Sequence, residues 1–214
     1  MPEDVLGELL HSLSQPLTSL RCSLEHSLGL SIEEVASQGH ESVAVALQQT
    51  EKVIGMIQLM REYLDAEQPG AEAFSAALQP TIRSVIEDLS SIAVVRGIQL
   101  LFVGTCKVRL CVAESRLRRA LQYLIAALIE GQPSGTKITL LLGECPAGTV
   151  LRVEGEKKTS TSQTNRDSAQ ATLRRVRLAI ASRVLESAGA SLAIGNVGPD
   201  GFVLRIPRRV GASA

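Results

Sequence analysis

From Leu6 onward, leucines stand at positions 6, 10, 13, 17, 20 and 24, in alternating steps of four and three. That spacing lines one seam of an α-helix and is the pattern of helices packed in bundles or coiled coils. A second run, Val43, Leu47, Ile54, Ile57 and Leu64, also recurs at helical spacing. Between the two, the stretch 29–39 carries Gly29, Gly39 and Ser31-Ile32-Glu33-Glu34, and it reads as the connection. Residues 1–68 are therefore expected to form a helical hairpin. Two helices cannot enclose a core, so the hairpin is expected to pair with a second copy, giving a homodimer and a four-helix bundle. Leu6, Leu10, Leu13 and Leu17 are the expected dimer core.

Gln68-Pro69-Gly70-Ala71 reads as a linker, and a second domain over 74–214 alternates helices with strands. Its expected elements are a helix over 78–95, strands over 98–103 and 107–112, and a helix over 114–130. Strands over 137–142 and 149–153, a helix over 172–188, and strands over 191–194 and 202–206 follow. The run 156–170 is almost wholly polar and is expected to be a mobile loop. Helices on one face of a mixed sheet make this domain an α/β sandwich, and the chain as a whole α+β.

Lys plus Arg equals Asp plus Glu, 22 each, so no net field draws the chain to nucleic acid or to an acidic membrane. With two Tyr, three Phe and no Trp there are too few aromatic rings for a base-stacking platform. No nucleic-acid partner is expected. The four cysteines, Cys22, Cys106, Cys111 and Cys145, lack CxxC spacing and are expected to be reduced core residues. No apolar run approaches the ~18 residues of a membrane span, and the acidic start MPEDVLGELL is unlike a signal peptide. A cytoplasmic protein is expected.

His11 lies one step off the leucine seam, on the flank of the first helix, where a partner can reach it. An imidazole is largely neutral at neutral pH and is then a free nucleophile able to accept a phosphoryl group. Pro16, five residues on, falls inside the same helix, where it removes a backbone hydrogen bond to Ser12 and bends the axis. His26 and His40 share no ligand spacing with each other or with the cysteines, and no metal site is expected.

The segment His11-Ser12-Leu13-Ser14-Gln15-Pro16-Leu17-Thr18-Ser19-Leu20 resembles the phosphoacceptor box of sensor histidine kinases, in the subgroup with the pattern H-E-(I/L)-N-Q-P-L. The resemblance implies that His11 is the phosphorylated residue and that Ser14, Gln15 and Thr18 shape the contact with a receiver domain. Ser12 stands where the family has a carboxylate that assists as a base, which argues against fast autophosphorylation.

The second domain resembles the family's ATP-binding domain over nearly its whole length. Arg116 to Ala127 aligns with the helix that carries the magnesium- and phosphate-holding Asn, but Tyr123 and Ala127 occupy the two Asn positions. The family's Asp-x-Gly-x-Gly loop is replaced by Glu154-Gly155-Glu156-Lys157-Lys158, with Gly155 alone retained. Arg175-Val176-Arg177-Leu178-Ala179-Ile180 falls on Gly-x-Gly-Leu-Ala-Ile, so both phosphate-facing glycines have become arginines. A side chain there blocks the close approach of phosphate to backbone N–H groups. The basic run Arg174, Arg175, Arg177 reads as a solvated helix face, with a docking patch as the alternative.

A retained phosphoacceptor beside a substituted nucleotide domain implies a histidine phosphotransferase that exchanges a phosphoryl group with response-regulator receiver domains. It needs no cofactor of its own, because the receiver is expected to bring the magnesium. The alternatives are an ATP-using kinase with a divergent site and a pseudokinase scaffold that only binds.

Overall fold

The computed structural model describes residues 2–29, 32–66, 75–155, 168–194 and 201–208. Two compact units are present, Met1–Asp65 with Arg166–Val176, and Ala66–Asn165 with Arg177–Ala214.

In the first unit, α1 (Pro2–Gly29) and α2 (Ile32–Asp65) form the hairpin. The connection is shorter than the spacing of glycines suggested, because α2 begins at Ile32 and contains Gly39. A single helical glycine costs about 1 kcal/mol relative to Ala, too little to stop a helix of 34 residues. The buried centre of α1 is Leu9 and Pro16, and that of α2 is Met56, Leu59 and Tyr63. Leu13 and Leu20 are half-buried, whereas Leu10, Leu17 and Leu24 are exposed. The leucine seam thus lies on the border of the buried stripe, one residue round from its middle. The side chain of Leu6 lies outside the described residues.

In the second unit, β1 (Ala76–Ala77) leads directly into α3 (Leu78–Val95), followed by β2 (Gln99–Gly104), β3 (Arg109–Leu110) and α4 (Glu114–Gly131). Then come β4 (Lys137–Cys145), β5 (Gly148–Gly155), α5 (Ser168–Ser187), whose residues up to Val176 belong to the first unit, β6 (Ser191–Ile194) and β7 (Phe202–Pro207). Two short strands, β1 and β3, pair with each other; of the span expected as a strand over 107–112, only Arg109 and Leu110 form one. The main sheet has the order β2-β4-β5-β7-β6, with β2 parallel to β4 and the other pairs antiparallel. Residues 168–170, expected in the polar loop, belong to α5; the rest of that loop lies outside the described residues.

The period-2 pattern of the strands makes one sheet face apolar. Leu140 pairs with Val153 and Val153 with Phe202; Leu142 pairs with Leu151 and Leu151 with Leu204. All six are buried. Ile82, Val85 and Leu89 of α3, Leu117, Leu121, Leu124 and Leu128 of α4, and Ile180, Val184 and Leu185 of α5 supply the rest of this core. Gly189, with φ 83°, ends α5: its N–H donates to Glu186 O and that of Ala190 to Leu185 O, which turns the chain into β6.

All four cysteines are free, but none belongs to the core: Cys22 and Cys145 are exposed, and Cys106 and Cys111 are half-buried. Cys22 lies on an exposed face of α1, Cys145 at the end of β4, Cys111 just after β3 and Cys106 in the loop between β2 and β3, which spacing alone does not reveal. Burial pushes the Cys106 thiol up from its ordinary value. No helix among the described residues is long and apolar enough to cross a membrane.

Arg118 of α4 donates a bidentate pair of hydrogen bonds to Asp88 of α3, Nε to Oδ2 at 3.0 Å and Nη2 to Oδ1 at 2.8 Å, and Gln122 Nε2 adds a bond to Oδ2 at 2.9 Å. The Arg118 hydrogen bonds hold the Asp88 carboxyl below its ordinary value of 3.8. Because the folded-state value is the lower one, the clamp contributes fully above the unfolded-state value and is lost as pH falls through the folded one. Thermal scans at descending pH should therefore show an acid-side loss that Asp88→Asn reduces; an unchanged acid limb would reject the clamp. Leu121, fully buried, tests the core: Leu121→Ala is expected to cost roughly 2–5 kcal/mol in urea unfolding, and a cost below 1 kcal/mol would contradict the burial described.

Candidate functional site

On α1 the side chains of His11, Ser14, Gln15 and Thr18 are all exposed. Their spacing of three, four and seven places them on one stripe of the helix. Burial of Leu9 and Pro16 on the opposite side turns this stripe outward. Pro16 lies inside α1, so its nitrogen has no proton to donate to the carbonyl of Ser12. The hydroxyls on either side are committed to the backbone: Ser14 Oγ donates to Leu10 O at 3.2 Å, and Thr18 Oγ1 to Ser14 O at 2.8 Å. What Ser14 and Thr18 show a partner is therefore mainly acceptor lone pairs, while Gln15 shows an amide with both donors and acceptor. Ser12, half-buried, offers no carboxylate to the imidazole.

Beside this stripe runs an exposed apolar row of Leu10, Leu17 and Leu24, with Leu13 half-buried next to it. On α2, Val43, Leu47, Ile54, Ile57 and Leu64 are likewise exposed. Leu9 was missed by the sequence reading because it lies off the leucine seam, yet it is fully buried.

In the second unit Tyr123 is half-buried on α4 and Ala127, one turn later, is buried in the core. Arg177 of α5 lies over Tyr123, its Cζ 5.9 Å from the ring centroid, and its Nη1 is 3.8 Å from Glu130 Oε1. Gly155 ends β5 beneath the side chain of Gln132: a Cβ at Gly155 would stand 2.7 Å from Gln132 Nε2 and 2.8 Å from its Cδ. Arg175 is exposed and pairs with Glu8 within the first unit. The arginine run is therefore no uniform solvated face. Arg175 and Arg177, two residues apart, have different partners, and Arg174 is half-buried.

The histidine kinase AdeS of Acinetobacter baumannii matches 94% of this chain over 98% of its own length, with a TM-score of 0.65 and 16% identity. The fold is that of the histidine kinases. The histidine kinase ThkA, in a structure with the response regulator protein TrrA, gives a TM-score of 0.62 at 15% identity over 95% of this chain and 61% of its own. Full-length ShkA in complex with AMPPNP gives 0.58 at 16% identity, over 97% of this chain and 46% of its own. No protein-family model and no curated protein matches the chain.

A histidine-kinase fold consists of a helical hairpin followed by an ATP-binding-type α/β domain, and both are present. Within it the structure gathers His11, Ser14, Gln15 and Thr18 on one stripe and brings Arg177 to Tyr123; Ala127 points into the core. Glu130 and Gln132 were not singled out from sequence. The signal that could have found them is their place at the end of α4, directly after the substituted Asn positions.

Proposed function

We propose that this chain is a cytoplasmic histidine phosphotransferase of a two-component phosphorelay, which takes a phosphoryl group at His11 from one receiver domain and gives it to another without ATP. The observation that carries the reading is the contrast between the units. His11 stands exposed on a histidine-kinase hairpin, whereas the positions that would hold a nucleotide carry Tyr123, the buried Ala127 and the paired Arg177.

A phosphoaspartate on a receiver is an acyl phosphate, already activated. The imidazole nitrogen of His11 attacks phosphorus; a P–N bond forms as the bond from phosphorus to the aspartyl oxygen breaks, and the carboxylate leaves with the electron pair. The reverse step hands the group to a second receiver. Magnesium is expected to come with the receiver. Gln15, one turn after His11, and the acceptor oxygens of Ser14 and Thr18 form the contact surface around the nucleophile. That a fold relative, ThkA, is seen with a response regulator supports this choice of partner.

The exposed row Leu10, Leu17, Leu24 and the exposed apolar residues of α2 support a homodimer with a four-helix bundle, because solvated leucine rows of this length are unfavourable on a monomer. Leu10→Glu combined with Leu17→Glu is expected to give a monomer in light scattering; an unchanged dimer would place the interface elsewhere.

With labelled phosphoreceiver, wild-type protein should acquire acid-labile label and His11→Ala none, while the variant keeps its dimer. Label on the Ala variant would remove the assignment. Magnesium and ATP should neither label the protein nor raise its melting temperature. ATP-dependent label at His11 would instead make it a kinase with a divergent site.

A further inference from the structure

We infer that the last turn of α4 closes the substituted nucleotide site from within, with Arg177 as the group that fills it; this rests on the reading of the second unit given above. Two side chains from the end of α4 reach the two chain segments that flank residues 156–167. Glu130 meets Arg177 on α5 at 3.8 Å, and the Gln132 amide lies against Gly155 at the end of β5. Tyr123, two turns before Glu130 on the same helix, supplies the ring under the Arg177 guanidinium.

An arginine in place of a phosphate-facing glycine has two possible chemistries. With a free guanidinium it would clamp a phosphate by charge-assisted hydrogen bonds. With a carboxylate and an aromatic ring beside it, it is held within the fold and offers an anion less. Here Nη1 lies 3.8 Å from Glu130 Oε1 and Cζ 5.9 Å from the Tyr123 centroid, while the buried Nε has no hydrogen-bond partner among the described residues. Glu130 decides between them. Its carboxylate offsets part of the guanidinium charge and would itself repel an incoming phosphate. At Gly155 an added Cβ would move the end of the Gln132 side chain.

Arg177 and Glu130 are each partly exposed, with side-chain exposures of 36% and 41%. The closure is therefore an arrangement of modest strength, and its signature is coupling between the two residues rather than a large loss from either. In the full-length dimer, Arg177→Gln and Glu130→Gln are each expected to lower the melting temperature by about 1–3 °C at low salt. The double variant should fall no further than the worse single one. The exchange Arg177→Glu with Glu130→Arg should recover part of what Arg177→Glu alone loses, and raised salt should shrink the coupling. Independent of stability, the Arg177 side-chain protons should carry an upfield ring-current shift in NMR spectra that Tyr123→Leu abolishes. Inorganic phosphate should leave the wild-type melting temperature unchanged.

Additive losses, an exchange variant no better than Arg177→Glu, absence of the ring-current shift, or stabilisation of the wild type by phosphate would each overturn the closure. Stabilisation by magnesium and ATP would remove the parent reading instead. Additive losses without ATP binding would remove this inference and leave the parent reading standing.

Discussion

The burial of Leu9 and Pro16 fixes the rotation of α1 about its own axis, and most of what the hairpin presents follows from that rotation. With 3.6 residues per turn, a helix that buries positions 9 and 16 turns 11, 14, 15 and 18 to the far side and leaves 10, 17 and 24 at the border. The three exposed leucines cannot turn inward without carrying His11 with them. The stripe of His11, Ser14, Gln15 and Thr18 and an apolar row are therefore placed side by side by one packing choice. A proline at the buried centre costs the helix a backbone bond, and its ring adds apolar packing on the side away from His11.

The second unit depends in the same way on register. Pairing Leu140 with Val153 and Phe202, and Leu142 with Leu151 and Leu204, puts one file of apolar residues from three strands on one face. Slipping any of them by one residue would turn its file to solvent. The same register brings Gly155 to the end of β5, where the side chain of Gln132 lies against it, and burial of Ile180 on α5 accompanies the approach of Arg177 to α4. The clamp of Arg118 on Asp88 ties α3 to α4 at their solvent side, where three hydrogen-bond donors meet one carboxylate.

Much of this architecture was legible in the sequence because it is written in periods. The helix over 78–95 and the strand over 191–194 were placed at their observed bounds, and the two-domain order and the mixed sheet follow from alternating patterns. What sequence spacing conveys poorly is phase and partnership. Six leucines in a seam name a helix and a packed side, but not that the buried middle passes through Leu9, one step away. The pairing of β1 with β3 over two residues is too short to leave a period. Gly39 looked like a turn and lies in a helix, since propensity for one residue is outweighed by the apolar spacing around it. The cysteines were placed in the core on residue type alone, and type does not say which stripe of an element a residue occupies.

At the substituted site, sequence comparison identifies which residues are different but not what the replacements do. Arg175 and Arg177 look equivalent as letters, both standing for glycine. In the fold they diverge, because two residues on a helix are 200° apart: Arg175 pairs with Glu8 in the first unit, and Arg177 meets Tyr123 and Glu130 in the second. A replaced glycine alone would leave open whether an arginine had taken over the phosphate. Under the closure inferred above, the Glu130 carboxylate, 3.8 Å from Arg177 Nη1, competes with a phosphate for that guanidinium. Under the phosphorelay reading this is no loss, because His11 draws its phosphoryl group from an acyl phosphate whose bond energy was supplied elsewhere, and the second unit is free to keep its fold while giving up its ligand.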